Sequence, residues 1–434
     1  MKEGTIMTTL FSIAVAMLAG LMMSRLAKKL GLPAVTAYLV AGILIGPYCL
    51  GRLGVEGLGF VTHDSVTALS MFSEVALGFI AFSIGNEFRL SQLRETGKQA
   101  TVVAIFQALL ATVFVDLALV GLHMVLGEDK LPLTACLILG AVATATAPAA
   151  TLMVVRQYKA KGPVTDILLP VVALDDAVGL IVFAISFGVC RAIAEGAFNL
   201  VGIIVEPLIE IVASLALGAL MGWVYTWCEQ FFHSNSRRMS MSVTFVILTV
   251  ALSMLEFHVG GVTIAFSSLL VCMMLGTVFC NICDYSAELM DRVDGWTTPL
   301  FVLFFVLSGA ELELSVFSDV AVIGIGVVYI LFRSLGKYLG AGISARATHC
   351  NHNICKYLGI TLLPQAGVAL GMSMKALEFG GMTGTLVRNV TLFSVLIYEL
   401  VGPLATKKAL LAAGEIKPEG RVSNRGNSPK AHKA

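Results

Sequence analysis

The sequence predicts an all-α polytopic membrane protein with thirteen transmembrane helices. Of its 434 residues, 57% are hydrophobic and only 13% are charged, and the mean hydropathy is +0.88. Soluble globular domains carry about 25% charged residues, so the composition excludes a soluble protein. Apolar stretches long enough for one bilayer crossing recur along the chain, and two of them contain proline and glycine at matched places.

Thirteen apolar stretches are bounded by charged or turn residues, which sets the predicted number of spans. Their limits are 6–24, 32–50, 65–86, 100–122, 132–155, 165–190, 200–227, 239–257, 259–281, 296–312, 320–344, 356–376 and 385–405. The first stretch lacks a small-residue cleavage site and leads directly into the second. We therefore interpret it as a crossing and not as a signal peptide.

The distribution of lysine and arginine predicts the orientation of the spans. With the N-terminus outside, 21 of the 29 Lys and Arg residues fall in the inner loops and the tail, and 6 fall on the outer side. Inner loops of membrane proteins carry such an excess of positive charge. We expect the N-terminus outside and the C-terminus in the cytoplasm.

Two halves of six spans flank a central linker helix. Residues 1–190 form the first predicted repeat, 200–227 the linker helix and 239–405 the second repeat. Because an odd number of spans separates equivalent positions, the halves run in opposite directions through the membrane. The transmembrane domain spans 1–415, and the polar residues 416–434 are predicted to form a disordered cytoplasmic tail.

The fifth and twelfth spans hold the same place in their halves, and both are interrupted. The residues that mark the interruptions are Pro148 with Thr144 and Thr146 in the first half, and Pro364, Gln365 and Gly367 in the second. Proline removes a backbone donor and breaks a helix. A matched pair of interrupted spans indicates a transporter site at the interface of inverted repeats, with the broken helices crossing at the membrane midplane. Two unrelated proline kinks are the alternative.

The sixth span contains two adjacent carboxylates, Asp175 and Asp176, at the centre of an otherwise apolar run from Ile167 to Cys190. A charge at the centre of a transmembrane helix costs about 2.5–3.5 kcal/mol on insertion scales. Two such residues predict an ion or proton site at the membrane midplane. Thr144, Thr146 and nearby backbone carbonyls of the first broken helix, together with Gln365 of the second, would line the ion path.

The eleventh span contains two basic residues, which are candidate partners of these carboxylates. Arg333 and Lys337 are four residues apart and therefore share a helix face, which also holds Gly336 and Gly340. We expect these small residues to admit another helix and Lys337 to pair with Asp175. Snorkelling to the inner surface is the alternative for both cations. Other embedded acids are assigned a structural or hydration role or a place on a proton path: Glu74, Asp116, Glu206, Glu210 and Glu399.

The seventh span, the linker helix, has small residues at four-residue spacing. Ser214, Gly218 and Gly222 form a face that permits close helix packing. The spacing leaves open whether the partner helix belongs to the same subunit or to a second copy.

Six segments, in order and covering nearly the whole chain, resemble the monovalent cation/proton antiporters, specifically the bacterial two-aspartate type with thirteen helices. The segments are LGLPAVTAYLVAGILIGP (30–47), LDDAVGLIVFA (174–184), PLFVLFFVLSGAEL (299–312), RSLGKYLGA (333–341), LLPQAGVAL (362–370) and GPLATKKALLAAGE (402–415).

The resemblance implies specific roles. Asp176 becomes the principal ion-binding carboxylate, and Asp175 becomes the partner of Lys337. Many relatives have Thr-Asp-Pro in the first broken helix, whereas this chain has Thr146-Ala147-Pro148, so the ion's ligands and its identity are open. Gln365 stands where some relatives have a charged residue. The resemblance implies Na⁺ at Asp176, Asp175 and Thr146, electrogenic exchange and a homodimer.

The functional hypothesis is a secondary antiporter of the cell (inner) membrane that exchanges Na⁺ or Li⁺ for H⁺ by alternating access. One cation replaces two protons at a shared site. The sequence has no P-loop and no basic stripe with aromatic residues, so we expect a transporter that is not an enzyme, needs no cofactor and binds no nucleic acid. Its expected partners are membrane lipid, monovalent cations and protons. The alternatives are K⁺/H⁺ exchange, sodium-coupled symport of an organic anion, and a channel or ion sensor.

Overall fold

Long helices account for most of the chain in a computed structural model. The structure describes residues 3–54, 59–86, 90–195, 206–232, 234–255, 257–259, 262–264, 266–283, 285–312, 314, 317 and 319–416. The helices of the first half are α1 (Glu3–Lys29), α2 (Ala34–Ile45), α3 (His63–Thr67), α4 (Ser70–Asn86), α5 (Leu90–Leu126), α6 (Leu133–Val142), α7 (Pro148–Tyr158) and α8 (Pro163–Glu195). The tail predicted to be disordered lies almost entirely outside these residues.

The linker helix α9 is followed by the second half, whose described residues include a short strand pair. Its elements are α9 (Glu206–Glu229), α10 (Asn235–Ser253), β1 (Phe257–Val259), β2 (Val262–Ile264), α11 (Ser268–Ile282), α12 (Ser286–Glu311), α13 (Val320–Ala347), α14 (His352–Thr361), α15 (Gly367–Ala376) and α16 (Gly381–Ala412). Short 3₁₀ turns lie at Leu50–Leu53 and Leu377–Phe379. Each of the thirteen predicted spans has a helical counterpart here.

Eight of the described helices are long and apolar enough to cross a membrane, and three shorter ones are also apolar. The predicted fifth and twelfth spans are each split into two short helices, α6 with α7 and α14 with α15. Because each of these four helices is too short to cross a membrane alone, helix length does not count the two broken spans as crossings. The membrane-spanning, almost all-helical fold is confirmed, and the count of thirteen crossings stays a prediction.

Residues 257–259 and 262–264 depart from the predicted helical pattern. The ninth span was expected to begin at 259, but β1 and β2 pair antiparallel there and α11 begins only at Ser268. Val259, Val262, Thr263 and Ile264 flank or follow a Gly-Gly pair in the sequence. Branched residues around such a pair favour a tight hairpin over a helix. An apolar segment can form a helix or a strand hairpin, so hydropathy alone did not distinguish the two.

The helices pack as two bundles. The site bundle contains α5–α8 and α13–α16, and the scaffold bundle contains α1, α2, α4 and α9–α12. Each bundle draws helices from both halves of the sequence. The contacts between the bundles are fewer and bring α16 and α7 against α2, α7 also against α4, and α8 against α9 and α11. Two bodies with a thin interface can move relative to each other, as transporters of this architecture require.

Polar contacts join the bundles at the C-terminal end of α7. Arg156 Nη1 lies 2.5 Å from Asp294 Oδ1 of α12. The backbone N–H of Ala34 donates to Gln157 Oε1 over 2.9 Å. Because this end of α7 is the Lys- and Arg-rich end predicted to face the cytoplasm, these contacts close the bundle interface on that side.

Two glycines allow α13 to approach α5 closely. A Cβ at Gly340 would lie 2.6 Å from the Cα of Gln107, and a Cβ at Gly336 would lie 2.6 Å from the Cα of Ala111. The close helix approach expected at these glycines therefore occurs. The helix that packs there is α5 and not α8, which carries Asp175. α5 and α8 are themselves packed together, so α13 reaches Asp175 alongside α5.

The small face of α9 packs within one subunit. Cβ atoms at Gly218 and Gly222 would collide with residues of α11. Ser214 Oγ accepts a hydrogen bond of 2.9 Å from the N–H of Ser267, directly before α11. The spacing left open whether the partner helix belongs to the same subunit or to a second copy, and the structure shows that it belongs to the same subunit.

Candidate cation and proton site

The site begins with two breaks that face each other. The first break separates α6 from α7 at residues 143–147, and the second separates α14 from α15 at residues 362–366. Pro148 occupies the first turn of α7, where its missing N–H costs nothing. The N–H of Ala147 donates to the carbonyl oxygen of Pro364 over 2.8 Å, so the breaks are joined by backbone.

Side chains add to this backbone contact. Gln365 Nε2 donates to Val142 O over 3.0 Å and to Tyr329 Oη over 2.9 Å, and Ser394 Oγ donates to Gln365 Oε1 over 3.2 Å. Thr151 Oγ1 donates to Thr361 O over 3.3 Å. Gln365 is fully buried and uses its amide to hold the breaks against α13 and α16. Its predicted place on the ion path stays a prediction.

Arg333 is fully buried and faces both breaks. Its guanidinium donates to Ala143 O over 3.0 Å, to Ala145 O over 2.5 Å and to Leu363 O over 2.8 Å. Its Cζ lies 4.5 Å from the centre of the Tyr398 ring. These contacts exclude the snorkelling alternative for Arg333, which the sequence left open. Gly367, the third predicted break residue of the second half, begins α15.

Lys337 joins the first break to the aspartate helix. Its ammonium donates to Thr144 O over 2.5 Å, to Thr146 Oγ1 over 2.8 Å and to Asp175 Oδ2 over 2.9 Å. Lys337 and Asp175 are both fully buried, so snorkelling is excluded here too. The ammonium has used all three of its donors. Removing either charge would leave the other unpaired in a low-dielectric interior, which costs about 3–5 kcal/mol.

Asp175 is saturated by its neighbours. Its Oδ2 accepts from Lys337 and from the hydroxyl of Thr146, and its Oδ1 accepts from the amide of Gln107 on α5. Sequence reasoning missed Gln107. A single amide on a face of α5 that is otherwise apolar was the only available signal. The Oε1 of Gln107 is buried and has no hydrogen-bond partner among the described residues.

Asp176 differs sharply from its neighbour. It is 6% exposed, and its Oδ1 is buried with no hydrogen-bond partner among the residues that the structure describes. One turn later, Gly179 lies against the Thr144 side chain, which keeps this face of α8 close to the first break. A buried carboxylate without donors is costly unless a proton or a cation occupies it. Carboxylate, hydroxyl and carbonyl oxygens are the ligands that hard cations prefer.

The other embedded acids make no hydrogen bond to these site residues within the described part of the chain. Asp116 packs against Gly140 of α6, and its Oδ1 has no hydrogen-bond partner in the described part of the chain. Glu399 is 6% exposed, and its Oε2 likewise has no partner there. Glu74 is half-buried on α4 and Glu210 half-buried on α9. The side chain of Glu206 lies outside the described residues.

Comparisons with known proteins agree with this architecture. Residues 13–412 match the family described as sodium/hydrogen exchanger, transmembrane. The chain is 22% identical over 407 residues to a K(+)/H(+) antiporter subunit, KhtU of Bacillus subtilis, covering 92% of this chain and 93% of that one. It is 23% identical over 404 residues to the Na(+)/H(+) antiporter NhaS4 of Synechocystis, covering 91% of this chain and 94% of that one.

A solved structure shares the fold. The sodium proton antiporter MjNhaP1 from Methanocaldococcus jannaschii superposes with a TM-score of 0.75 at 17% sequence identity, covering 96% of this chain and all of that one. Its structure at pH 8 gives a TM-score of 0.66. The family match extends over most of the sequence and includes both breaks and the Asp175–Asp176 pair. The chain is therefore a multi-pass membrane protein that belongs to the sodium/hydrogen exchanger family of transporters.

Proposed function

We propose that Asp176 is the carboxylate at which this antiporter exchanges Na⁺ (or Li⁺) for H⁺. The observation that carries this proposal is the contrast between two consecutive residues in one buried centre. Asp175 is fully engaged by Lys337, Thr146 and Gln107, whereas the buried Oδ1 of Asp176 has no hydrogen-bond partner among the described residues. A carboxylate oxygen that accepts no hydrogen bond, next to a carboxylate whose oxygens are both in use, provides a preformed position for a cation or a proton.

Competition for this position supplies the coupling. A partly dehydrated Na⁺ at Asp176 takes the place of a proton and draws on the oxygens of Asp175 and Thr146. Asp175 then loses its hold on Lys337, whose ammonium is left without a counter-charge in a dry interior and gives up its proton. The two carboxylates and the lysine act as one coupled set. Because cation and protons exclude each other, no ATP is needed.

Charge counting makes the exchange electrogenic. One Na⁺ replaces two protons, one from Asp176 and one from Lys337, so each cycle moves a net charge across the membrane. The transmembrane potential acts on such a cycle with about 2.3 kcal/mol per charge per 100 mV.

Alternating access moves the site bundle against the scaffold bundle. The contacts Arg156–Asp294 and Gln157–Ala34 hold the interface closed at one end of α7 and must open in each cycle. We further propose that the protein lies in the cell (inner) membrane as a homodimer, with its N-terminus outside and its C-terminus in the cytoplasm. The charge asymmetry of the loops and the family resemblance support these points.

K⁺/H⁺ exchange is the second candidate. It is favoured by the similarity to KhtU, which is a K(+)/H(+) antiporter subunit, and by Ala147 in the first break, where many relatives have a carboxylate. One carboxylate fewer near the cation lowers the field strength of the site. A weaker field tolerates a larger, less strongly hydrated ion.

Proteoliposomes with an internal pH dye test these proposals. We expect NaCl or LiCl, added without any organic solute, to drive proton movement, and a membrane potential to change its rate. Exchange driven by KCl alone would replace the sodium proposal with the potassium one. Proton movement that requires an organic anion would indicate symport. A cation current unaffected by the proton gradient would indicate a channel.

A further inference from the structure

Arg333 binds both breaks, a role that no motif in the sequence predicts. Its three hydrogen bonds reach two carbonyls of the first break, Ala143 and Ala145, and one of the second, Leu363. It is fully buried, and the ring of Tyr398 covers one face of its guanidinium. Within the described part of the chain, the hydrogen-bond partners of its guanidinium are all backbone carbonyls and include no carboxylate.

The carbonyls that Arg333 binds lie just beyond two helix C-termini. α6 ends at Val142 and α14 ends at Thr361, so the carbonyls of the breaks have no intrahelical donors, and they lie next to the negative ends of the two helix dipoles. One planar group with five N–H donors in a fixed fork can satisfy several of these oxygens at once. A lysine at this place has no such fork.

The bound carbonyls flank the atoms of the ion site. Ala143 and Ala145 stand on either side of Thr144, whose carbonyl accepts from Lys337, and Ala145 precedes Thr146, whose hydroxyl contacts both Lys337 and Asp175. Fixing these neighbours fixes the direction of the Thr144 and Thr146 oxygens. Leu363 precedes Pro364, which accepts from the N–H of Ala147.

We propose that Arg333 is a positioning residue that joins the two breaks into one rigid frame and so sets the spacing of the ion-site oxygens. It touches neither the cation nor the transferred protons; it acts through the backbone of both breaks. The part of this inference that concerns transport depends on the proposed function, whereas the part that concerns the frame does not.

Amide hydrogen exchange measured without added Na⁺ or Li⁺ tests the frame directly. Arg333→Gln should speed exchange in both breaks, including the Ala147 N–H that bonds to Pro364, by about tenfold or more, as expected for the loss of charge-assisted hydrogen bonds. Lys337→Gln combined with Asp175→Asn is the matched control on the same helix, because it removes a buried cation without leaving its counter-charge unpaired. The hydrogen bonds of Lys337 to the breaks reach Thr144 and Thr146 of the first break, so its loss should speed exchange at 143–147 and leave 362–366 unchanged.

Transport kinetics provide the second readout. Arg333→Gln should raise the KM for Na⁺ by about tenfold, on the same energetic grounds, and lower kcat by much less, because ion ligands are displaced while the titrating groups remain. Arg333→Lys keeps the positive charge and is the second variant, which tests the inference if Arg333→Gln does not fold. We expect it to keep the raised KM and fast exchange in at least one break, since one ammonium cannot span both.

Three results would overturn the inference. Unchanged exchange in both breaks of Arg333→Gln would show that the frame does not need the residue. Full recovery of exchange and KM in Arg333→Lys would show that charge alone matters. Uniformly faster exchange throughout the chain would show a general packing role. If the wild-type protein moves no cations, the proposed function fails while the exchange data still decide the role of Arg333.

Discussion

Lys337 Nζ lies 2.9 Å from Asp175 Oδ2, and both side chains are fully buried. Asp176, the next residue along α8, is also buried but has an Oδ1 with no hydrogen-bond partner among the described residues. Consecutive residues on a helix point about 100° apart, so identical side chains meet different surroundings. This asymmetry is the physical basis for assigning the two aspartates different roles.

The Asp175–Lys337 pair should control both stability and charge movement. Lys337→Met leaves Asp175 as an unpaired buried charge, so we expect a lower Tm in detergent, equivalent to about 3–5 kcal/mol. Asp175→Asn combined with Lys337→Met removes both charges and should recover most of that loss. The single variant should also lose its response to membrane potential in proteoliposomes. Retention of a two-proton stoichiometry in Lys337→Met would show that Lys337 carries no proton.

Gln107 should affect cation affinity through Asp175. Gln107→Leu removes the amide donor to Asp175 Oδ1, and a hydrogen bond to a charged group contributes about 1.5–3 kcal/mol. We expect a raised KM for Na⁺ with exchange still present. Gln99→Leu, a change of the same chemistry on the same helix, is the control and should leave KM unchanged, because the Gln99 amide donates to the Thr348 carbonyl and not to Asp175. Equal effects of the two variants would contradict a specific role for Gln107.

Two glycines of α13 should respond oppositely to the same substitution. Gly340→Ala places a methyl group 2.6 Å from the Cα of Gln107, so the helices must separate, at a cost of about 1–3 kcal/mol. Gly324→Ala meets nothing within 4 Å and should stabilise α13 by about 0.5–1 kcal/mol because alanine is the better helix former. Thermal unfolding in detergent measures both. A lower Tm for Gly324→Ala, or an unchanged one for Gly340→Ala, would contradict the packing described.

The contact between Arg156 and Asp294 should couple the two bundles. Both side chains are partly exposed, so the pair contributes about 0.5–1 kcal/mol. We expect Arg156→Gln and Asp294→Asn to be non-additive in Tm, and the charge-reversed pair Arg156→Asp with Asp294→Arg to recover stability. Because the contact opens in every cycle, neither single variant should reduce kcat. Strict additivity in Tm would show that the two side chains do not interact in the protein.

Much of the architecture follows from composition and from proline and glycine positions. The breaks at Pro148 and Pro364 and the embedded aspartates could be located because charge and helix breakers are rare in apolar spans. Gln107 could not, since a single neutral amide in an apolar span does not indicate which group it will bind. The role of Arg333 could not either, because its distance from the inner end of α13 suits both snorkelling and burial. The pairing of β1 with β2 was hidden by an apolar composition that a helix shares.

The most direct measurement is the number of protons released when Na⁺ binds to the purified protein. Titration of NaCl into the detergent-solubilised protein, in weakly buffered solution with a pH indicator, counts them. If the cation and the protons share one site, Na⁺ binding should release about two protons per Na⁺ from the coupled carboxylates and Lys337. The Asp176→Asn variant should release none. Na⁺ binding without proton release, or equal release from Asp176→Asn, would contradict the central claim that cation and protons compete for Asp176.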